Sequence, residues 1–362
     1  MPLEVLECTH IRNLDTQCIT LSPGLNQFYG DNGAGKTSVL ESIYILGTGK
    51  SFRTSQLTPI LAHGQKICQI GGKINGNDQG FSGTIKCIKG AQEKPQYLIG
   101  NQAASSVAEL AQLLPVQVLN IHGYQLLADP PEERRRWLDW MMFHVEPSFY
   151  GLWREYHRVL KQRNAALRYS SGTRADLPQW TAILAAVGAK LHEARDTVMR
   201  LCFPDFRLAL EGLPGVSELS LAYHPGWDDT ASLEETLFAS HERDMSLGYT
   251  HAGPHRADLK IKINEKAASQ VLSTGQQKTF VTGLQLAQVR WMIERTGKRP
   301  ILLIDDLPSE LDKGARELLG ERLSGLDAQV CLTSVEKSSF LDVCGGMPKA
   351  MFHVEQGRVI PV

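Results

Sequence analysis

The chain has 362 residues, of which 42% are hydrophobic, 21% charged and 7% aromatic. That balance excludes a disordered, collagenous or coiled-coil chain, and at about 150 residues per domain the length leaves room for roughly two cores. Lysine and arginine number 38 against 39 aspartates and glutamates, a formal charge of -1, so nucleic-acid binding would have to come from a local patch and not from bulk charge.

The seven cysteines (Cys8, Cys18, Cys68, Cys87, Cys202, Cys331, Cys344) are scattered and include no CxxC pair, which predicts free thiols, no zinc site and a reducing compartment. Glu4 and Glu7 stand where a signal peptide needs a basic flank and an apolar run, and no apolar stretch approaches the roughly eighteen residues of a membrane span. The expectation is a soluble, cytoplasmic protein with no membrane partner.

From Leu3 to Tyr29, short apolar runs separated by Ser22, Pro23 and Gly24 read as strands. After Gly35 the spacing turns helical: Val39, Leu40, Ile43, Ile45 and Leu46 form an apolar stripe that Gly47 and Gly49 end. Residues 67–74, 83–88, 97–99 and 116–121 read as further strands of an antiparallel sheet built from hairpins. From Pro131 to about Phe203 the composition predicts two or three helices, interrupted near Ser170, Ser171 and Gly172 and again near Pro178. From Ser246 strands and helices alternate, with strands at 259–263, 301–304 and 330–332 and helices at 279–293 and 313–323. An α/β core with a helical insert follows, divided as 1–128, 129–245 and 246–362.

Gly30-Asp31-Asn32-Gly33-Ala34-Gly35-Lys36-Thr37 fits G-x-x-x-x-G-K-[ST] and lies between a strand and a helix, the setting that pattern requires. Backbone N–H groups can wrap a phosphate only where no side chain intrudes, and the helix that follows points its positive end at the anion. Gly30, Asp31, Asn32, Gly33, Ala34, Gly35, Lys36, Thr37 and Ser38 are therefore candidate nucleotide contacts. Lys36 would reach the β and γ phosphates and the Thr37 hydroxyl would bind Mg²⁺. Ile301-Leu302-Leu303-Ile304-Asp305-Asp306 is an apolar run ending in two carboxylates, as for a buried parallel strand that opens onto a ligand crevice. Asp305 is assigned to the metal, and Asp306 to orienting or deprotonating the attacking water.

Ser273-Thr274-Gly275-Gln276-Gln277-Lys278 precedes the helix expected at 279–293 and forms a second anion-binding helix start, with Ser273, Gly275 and Gln276 as its candidate contacts. One triphosphate seldom needs two helix starts from one chain, so the second can serve the nucleotide of another subunit. Ser309-Glu310-Leu311-Asp312 has capping-box spacing ahead of the helix at Lys313.

Taken together these four stretches look like the Walker A, signature, Walker B and D-loop of the ATP-binding-cassette ATPases, in the right order. Within that superfamily the chain resembles the RecF-type DNA repair proteins, through Ile11-Arg12-Asn13-Leu14, Asn32-Gly33-Ala34-Gly35-Lys36-Thr37, Leu40-Glu41, Ser51-Phe52-Arg53, Arg134-Arg135-Arg136-Trp137-Leu138-Asp139 and Gly253-Pro254-His255-Arg256. The resemblance implies an α/β cassette head, a P-loop NTPase core plus an antiparallel β subdomain, with an inserted helical second lobe. It also implies ATP and Mg²⁺ bound between two head-to-tail heads, action at gapped or junction DNA, and RecO and RecR type partners that help load a recombinase. Two departures stand out. Asp306 replaces the usual glutamate, which suggests weak, slow DNA-dependent hydrolysis, and Thr333-Ser334 stands where transporter cassettes carry a histidine; Gln125 is the best candidate for the Q-loop.

Arg134, Arg135 and Arg136, followed by Lys161, Arg163 and Arg168, could bind DNA phosphates, although Glu132 and Glu133 could neutralise part of that face. Trp137 and Trp140 read as core, and His255 and Arg256 as a turn near the nucleotide or the DNA, or a purely structural one. The alternative reading, a nucleotide-binding subunit of a membrane transporter, is disfavoured by Thr333 and by the arginine-led insert. A structural chromosome protein of the SMC type would need long coiled-coil arms that the insert is too short to supply.

Overall fold

A computed structural model describes residues 3–76, 82–120, 125–128, 130–168, 176–213, 216–306, 311–337, 344 and 347–362. In chain order the elements are β1 (Leu3–Thr9), β2 (Gln17–Thr20), β3 (Leu25–Tyr29), α1 (Lys36–Thr48), β4 (Ile67–Ile74), β5 (Gly83–Gly90), β6 (Gln96–Ile99), β7 (Gln102–Ala103), α2 (Val107–Leu113) and β8 (Val116–Asn120). Next come α3 (Gln125–Ala128), α4 (Pro131–Val145), α5 (Phe149–Arg168), α6 (Leu177–Ala209), β9 (Leu219–His224), α7 (Leu233–Ala239), α8 (His241–Leu247), β10 (Asp258–Ile263), β11 (Lys266–Ala267), α9 (Ala268–Val271) and α10 (Thr274–Thr296). The chain closes with β12 (Ile301–Asp305), α11 (Lys313–Ser324), β13 (Gln329–Ser334), β14 (Lys349–Glu355) and β15 (Arg358–Pro361). It divides into two compact units, 1–123 with 292–362, and 124–291.

The first unit carries two six-stranded sheets. One is antiparallel, in the order β2-β1-β4-β5-β6-β7; in the other, β15-β14-β3-β13-β12-β8, every pairing but the β14/β15 hairpin is parallel. Helix α1 lies between them, with Val39, Leu40, Ile43 and Leu46 buried against Leu6, Ile70 and Ile85 of one sheet and Phe28, Ile301 and Leu303 of the other. A helix covered on both sides has no polar face to spare, and burial of each such side chain contributes about 1.5–3 kcal/mol. Residues 116–121 were expected in the antiparallel sheet, yet β8 pairs in parallel with β12, Leu119 opposite Ile304. An apolar run announces a strand but not its partner. What seats β8 beside α1 is Gly47, where a Cβ would come 2.6 Å from Val116 Cγ2.

The second unit is helical around a small antiparallel sheet, β11-β10-β9. Pro178 starts α6 where an interruption was expected: it sits in the first turn, where a missing N–H costs nothing, and the helix then runs beyond Phe203 with Pro204 inside it. Ser170, Ser171 and Gly172 lie outside the described residues. The expected divider at 245/246 also differs from the compact unit, because β10 pairs along its length with β9 and ties this stretch to the helical unit. The seven cysteines are free, and all but Cys18 are buried.

Candidate nucleotide site

The carboxyl ends of the adjacent parallel strands β3, β13 and β12 bring Gly30, Thr333 and Asp305 to one edge of the sheet, the place where open α/β sheets bind ligands. The loop between β3 and α1 needs its glycines. Gly30 has φ +148° and a Cβ there would lie 2.2 Å from the Val354 carbonyl oxygen, while Gly35, at φ +119°, caps α1. Asp31, Asn32 and Gly33 are exposed; Ala34, Gly35, Lys36 and Ser38 are buried.

Lys36 is 4% exposed and turns back over the loop, its Nζ donating to the carbonyls of Gly30 at 2.7 Å and Asp31 at 3.0 Å. The Thr37 hydroxyl donates to Asp305 Oδ1 at 2.9 Å, joining the loop to the end of β12. Thr333 is fully buried and donates to the same oxygen at 2.9 Å, while its own oxygen accepts the Asp306 N–H at 2.9 Å. Burial pushes the Asp305 carboxyl above its ordinary range against the opposing pull of the Thr333 and Thr37 hydroxyls. Asp306 holds a left-handed backbone, φ +49°, a conformation that costs free energy and concentrates at functional sites.

Several residues that motif reading named without a role belong to this site. Arg12, Asn13 and Arg53 line the same cavity, of about 560 Å³, as Lys36, Thr37 and Asp306. Asn13 donates to the Gly33 carbonyl at 2.9 Å and accepts from the Ser38 hydroxyl at 2.9 Å, so Ser38, expected to touch nucleotide, braces the loop in this structure. Glu41, 1% exposed on α1, accepts Arg12 at 2.8 and 2.7 Å and the Ser51 hydroxyl, with Arg53 at 3.6 Å. The signal available was the three short motifs quoted above, whose letters give no distances.

The donor set fits Mg²⁺ and a triphosphate. A hydroxyl and a carboxylate 2.9 Å apart are hard oxygen ligands. They stand beside a loop whose open Gly33, with nothing within 4 Å of a Cβ, permits close backbone approach.

Most of the remaining candidates lie in the second unit, those around Ser309 to Asp312 in the first. Helix α10 begins at Thr274, not Thr279, because Ser273 caps it: Gln276 Oε1 accepts the Ser273 N–H at 2.9 Å and Ser273 Oγ accepts the Gln276 N–H at 3.4 Å. Ser273, Gly275 and Gln276 are exposed on that first turn. Gln125 is exposed at the start of α3. Ser309 and Glu310 lie outside the described residues, and the N-cap of α11 is Asp312, which accepts the Ala315 N–H at 2.8 Å. The arginine cluster is largely structural. Arg134 pairs with Asp258 at 2.6 Å, Arg135 donates to the Ala257 carbonyl at 2.7 Å, and Arg136 pairs with Glu132 and Glu133. Arg163, named above among the phosphate-binding candidates, is fully buried and pairs with Asp244 at 2.7 Å. His255 is held between Tyr156 and the Thr250 carbonyl, Arg256 stacks on Tyr249, and Trp137 is core.

The family model of the RecF/RecN/SMC N-terminal domain matches residues 2–359. The chain is 38% identical over 360 residues to the DNA replication and repair protein RecF of Pseudomonas syringae pv. syringae, covering 99% of this chain and 98% of that one. It belongs to the RecF family. The RecF protein of Pseudomonas putida GB-1 is also 38% identical, over 362 residues, covering 99% of this chain and 98% of its own length. A solved structure of the recombination mediator protein RecF with ATP, in the RecFOR pathway, superposes with a TM-score of 0.88 at 24% identity, over 99% of this chain and 97% of that one. An SMC head bound to the C-terminal winged-helix domain of ScpA gives 0.57 at 13%, over 99% and 97%. The fold is thus the cassette-type head expected, and full-length likeness to RecF proteins leaves the transporter reading without support. No described helix is long and apolar enough to cross a membrane.

Proposed function

We propose that this RecF-type chain is an ATP-dependent DNA-binding protein of recombinational repair and replication-fork maintenance. ATP binding closes a head-to-tail dimer on gapped or junction DNA, slow hydrolysis reopens it, and RecO and RecR type partners act with it to load a recombinase. The observation that carries the reading is the junction of Lys36, Thr37 and Asp305 at one sheet edge. Lys36 exchanges its two backbone carbonyls for phosphate oxygens, and the N–H groups of Gly33 to Thr37 wrap the anion. Thr37 and Asp305 hold Mg²⁺, which when bound neutralises charge on the β and γ phosphates. Asp306 orients or deprotonates the attacking water, and being a carbon shorter than glutamate it does so slowly. Ser273, Gly275 and Gln276 of a second copy complete the anion site.

Sedimentation with ATP, with ADP and with gapped duplex tests this. Dimers are expected with ATP only, and they disappear in Lys36→Met, Asp305→Asn and Ser273→Arg variants that still fold. Dimers of normal strength in those variants would overturn the reading.

A further inference from the structure

Helix α5 buries one face and exposes another of unusual composition. Tyr156, Val159, Leu160, Arg163 and Leu167 are buried. Arg154, Arg158, Lys161 and Arg168 are exposed. At about 100° per residue these four cations fall within about 80° of arc on the side away from the buried face, along about 21 Å of helix.

No carboxylate shares that ridge; Glu155, the one acid of α5, lies off it. Like charges three and four residues apart weaken a helix. Three exposed cations elsewhere in the chain are paired with acids at this same spacing: Arg136 with Glu132 and Glu133, Arg200 with Asp196, Lys313 with Glu317. On the ridge, Arg154 lies over the Tyr150 ring, 5.6 Å from its centroid, and Arg168 Nε donates to the Gly248 carbonyl at 3.1 Å. Neither contact cancels a charge. A chain of net charge -1 has therefore collected a row of like cations on one rigid ridge at a cost to the helix.

We propose that this ridge is the surface on which the chain takes the phosphate backbone of duplex DNA. A straight row of cations matches a regular row of phosphates, and it positions the duplex without reading its sequence. A protein partner of ordinary affinity would need a desolvated apolar anchor in a pocket, and the ridge offers only the half-buried Tyr150, already covered by Arg154. The inference rests on the DNA-binding reading above and gives it a place, one that leaves out the engaged Arg134, Arg135 and Arg163.

The test is fluorescence anisotropy of a labelled gapped duplex, titrated with wild type and with an Arg154→Gln/Arg158→Gln/Lys161→Gln variant between about 50 and 200 mM salt. The variant is expected to bind at least roughly tenfold more weakly, with a slope of log affinity against log salt shallower by about 2–3. If the triple variant melts early, Arg158→Gln and Lys161→Gln are measured singly, each expected to lower the slope by about 0.9. A folded variant with wild-type affinity and slope overturns the proposal. So does one that loses only an acidic polypeptide, polyglutamate, while holding DNA. Failure of the wild type to bind DNA at any salt would overturn the DNA-binding reading itself.

Discussion

Glu41 accepts both arms of the Arg12 guanidinium, at 2.8 and 2.7 Å, from a position that is 1% exposed. Removing the carboxylate strands Arg12 and the Ser51 hydroxyl together, and breaking a buried pair from one side costs about 3–5 kcal/mol. Glu41→Ala is therefore expected to lower the unfolding free energy by about 3 kcal/mol in urea titration, and Glu41→Gln, which keeps acceptor and shape, by less. Equal losses would show that the charge alone carries the effect, and no loss in Glu41→Gln would show that the charge is irrelevant.

Asp305 is an acid whose folded pKa is raised by burial. The folded form then holds more protons than the unfolded one between the two values, so stability falls as pH rises through that window and stays lower above it. Asp305→Asn keeps an oxygen for the Thr37 and Thr333 hydroxyls without the buried charge. The expectation at neutral pH is a nucleotide-free melting temperature higher by roughly 2 °C, together with loss of Mg²⁺-dependent ATP binding. A lower melting temperature would contradict the assignment.

His255 shows the opposite sign. Burial lowers its pKa to about 4, and the neutral ring accepts from Tyr156 at 2.7 Å and donates to the Thr250 carbonyl at 3.0 Å. The unfolded chain binds the extra proton, so this stability is complete above about pH 6.5 and is lost as pH falls towards 4, about 3 kcal/mol at the limit. Denaturant titrations from pH 7 to 4.5 should show that slope in wild type and a flatter one in His255→Gln.

Asp306 tests the chemistry. Asn tolerates the same left-handed backbone, φ +49°, so Asp306→Asn should fold and form ATP-dependent dimers while hydrolysis slows by about 10²-fold or more. Unchanged phosphate release would remove Asp306 from the mechanism.

Arg163 marks where reading the sequence stopped. Next to Lys161 in a basic helix it resembles a phosphate contact; in three dimensions it is sealed against Asp244, Thr181 and Thr250. Arg163→Ala should cost about 3–5 kcal/mol of stability, a loss a surface residue would not show. The phosphate loop and the two acids at the end of β12 were legible because their chemistry is local: glycine spacing, a lysine, an apolar run ending in Asp305 and Asp306. What was not legible depends on distant pairing. Nothing near Val116 says that β8 will lie beside β12, and nothing near Arg12 or Arg53 says that Glu41 will gather both at the cavity. Lys161 and Arg163 differ by two positions, and only packing against α6 and α8 decides which is wet.

The Gly30–Val354 approach, with Gly357 N–H donating to the Ala34 carbonyl at 2.8 Å, has a consequence for biosynthesis. Residues 30–37 leave the ribosome before the strand and turn that brace their backbone. Until then the nascent loop has its letters without the backbone contacts that hold its shape.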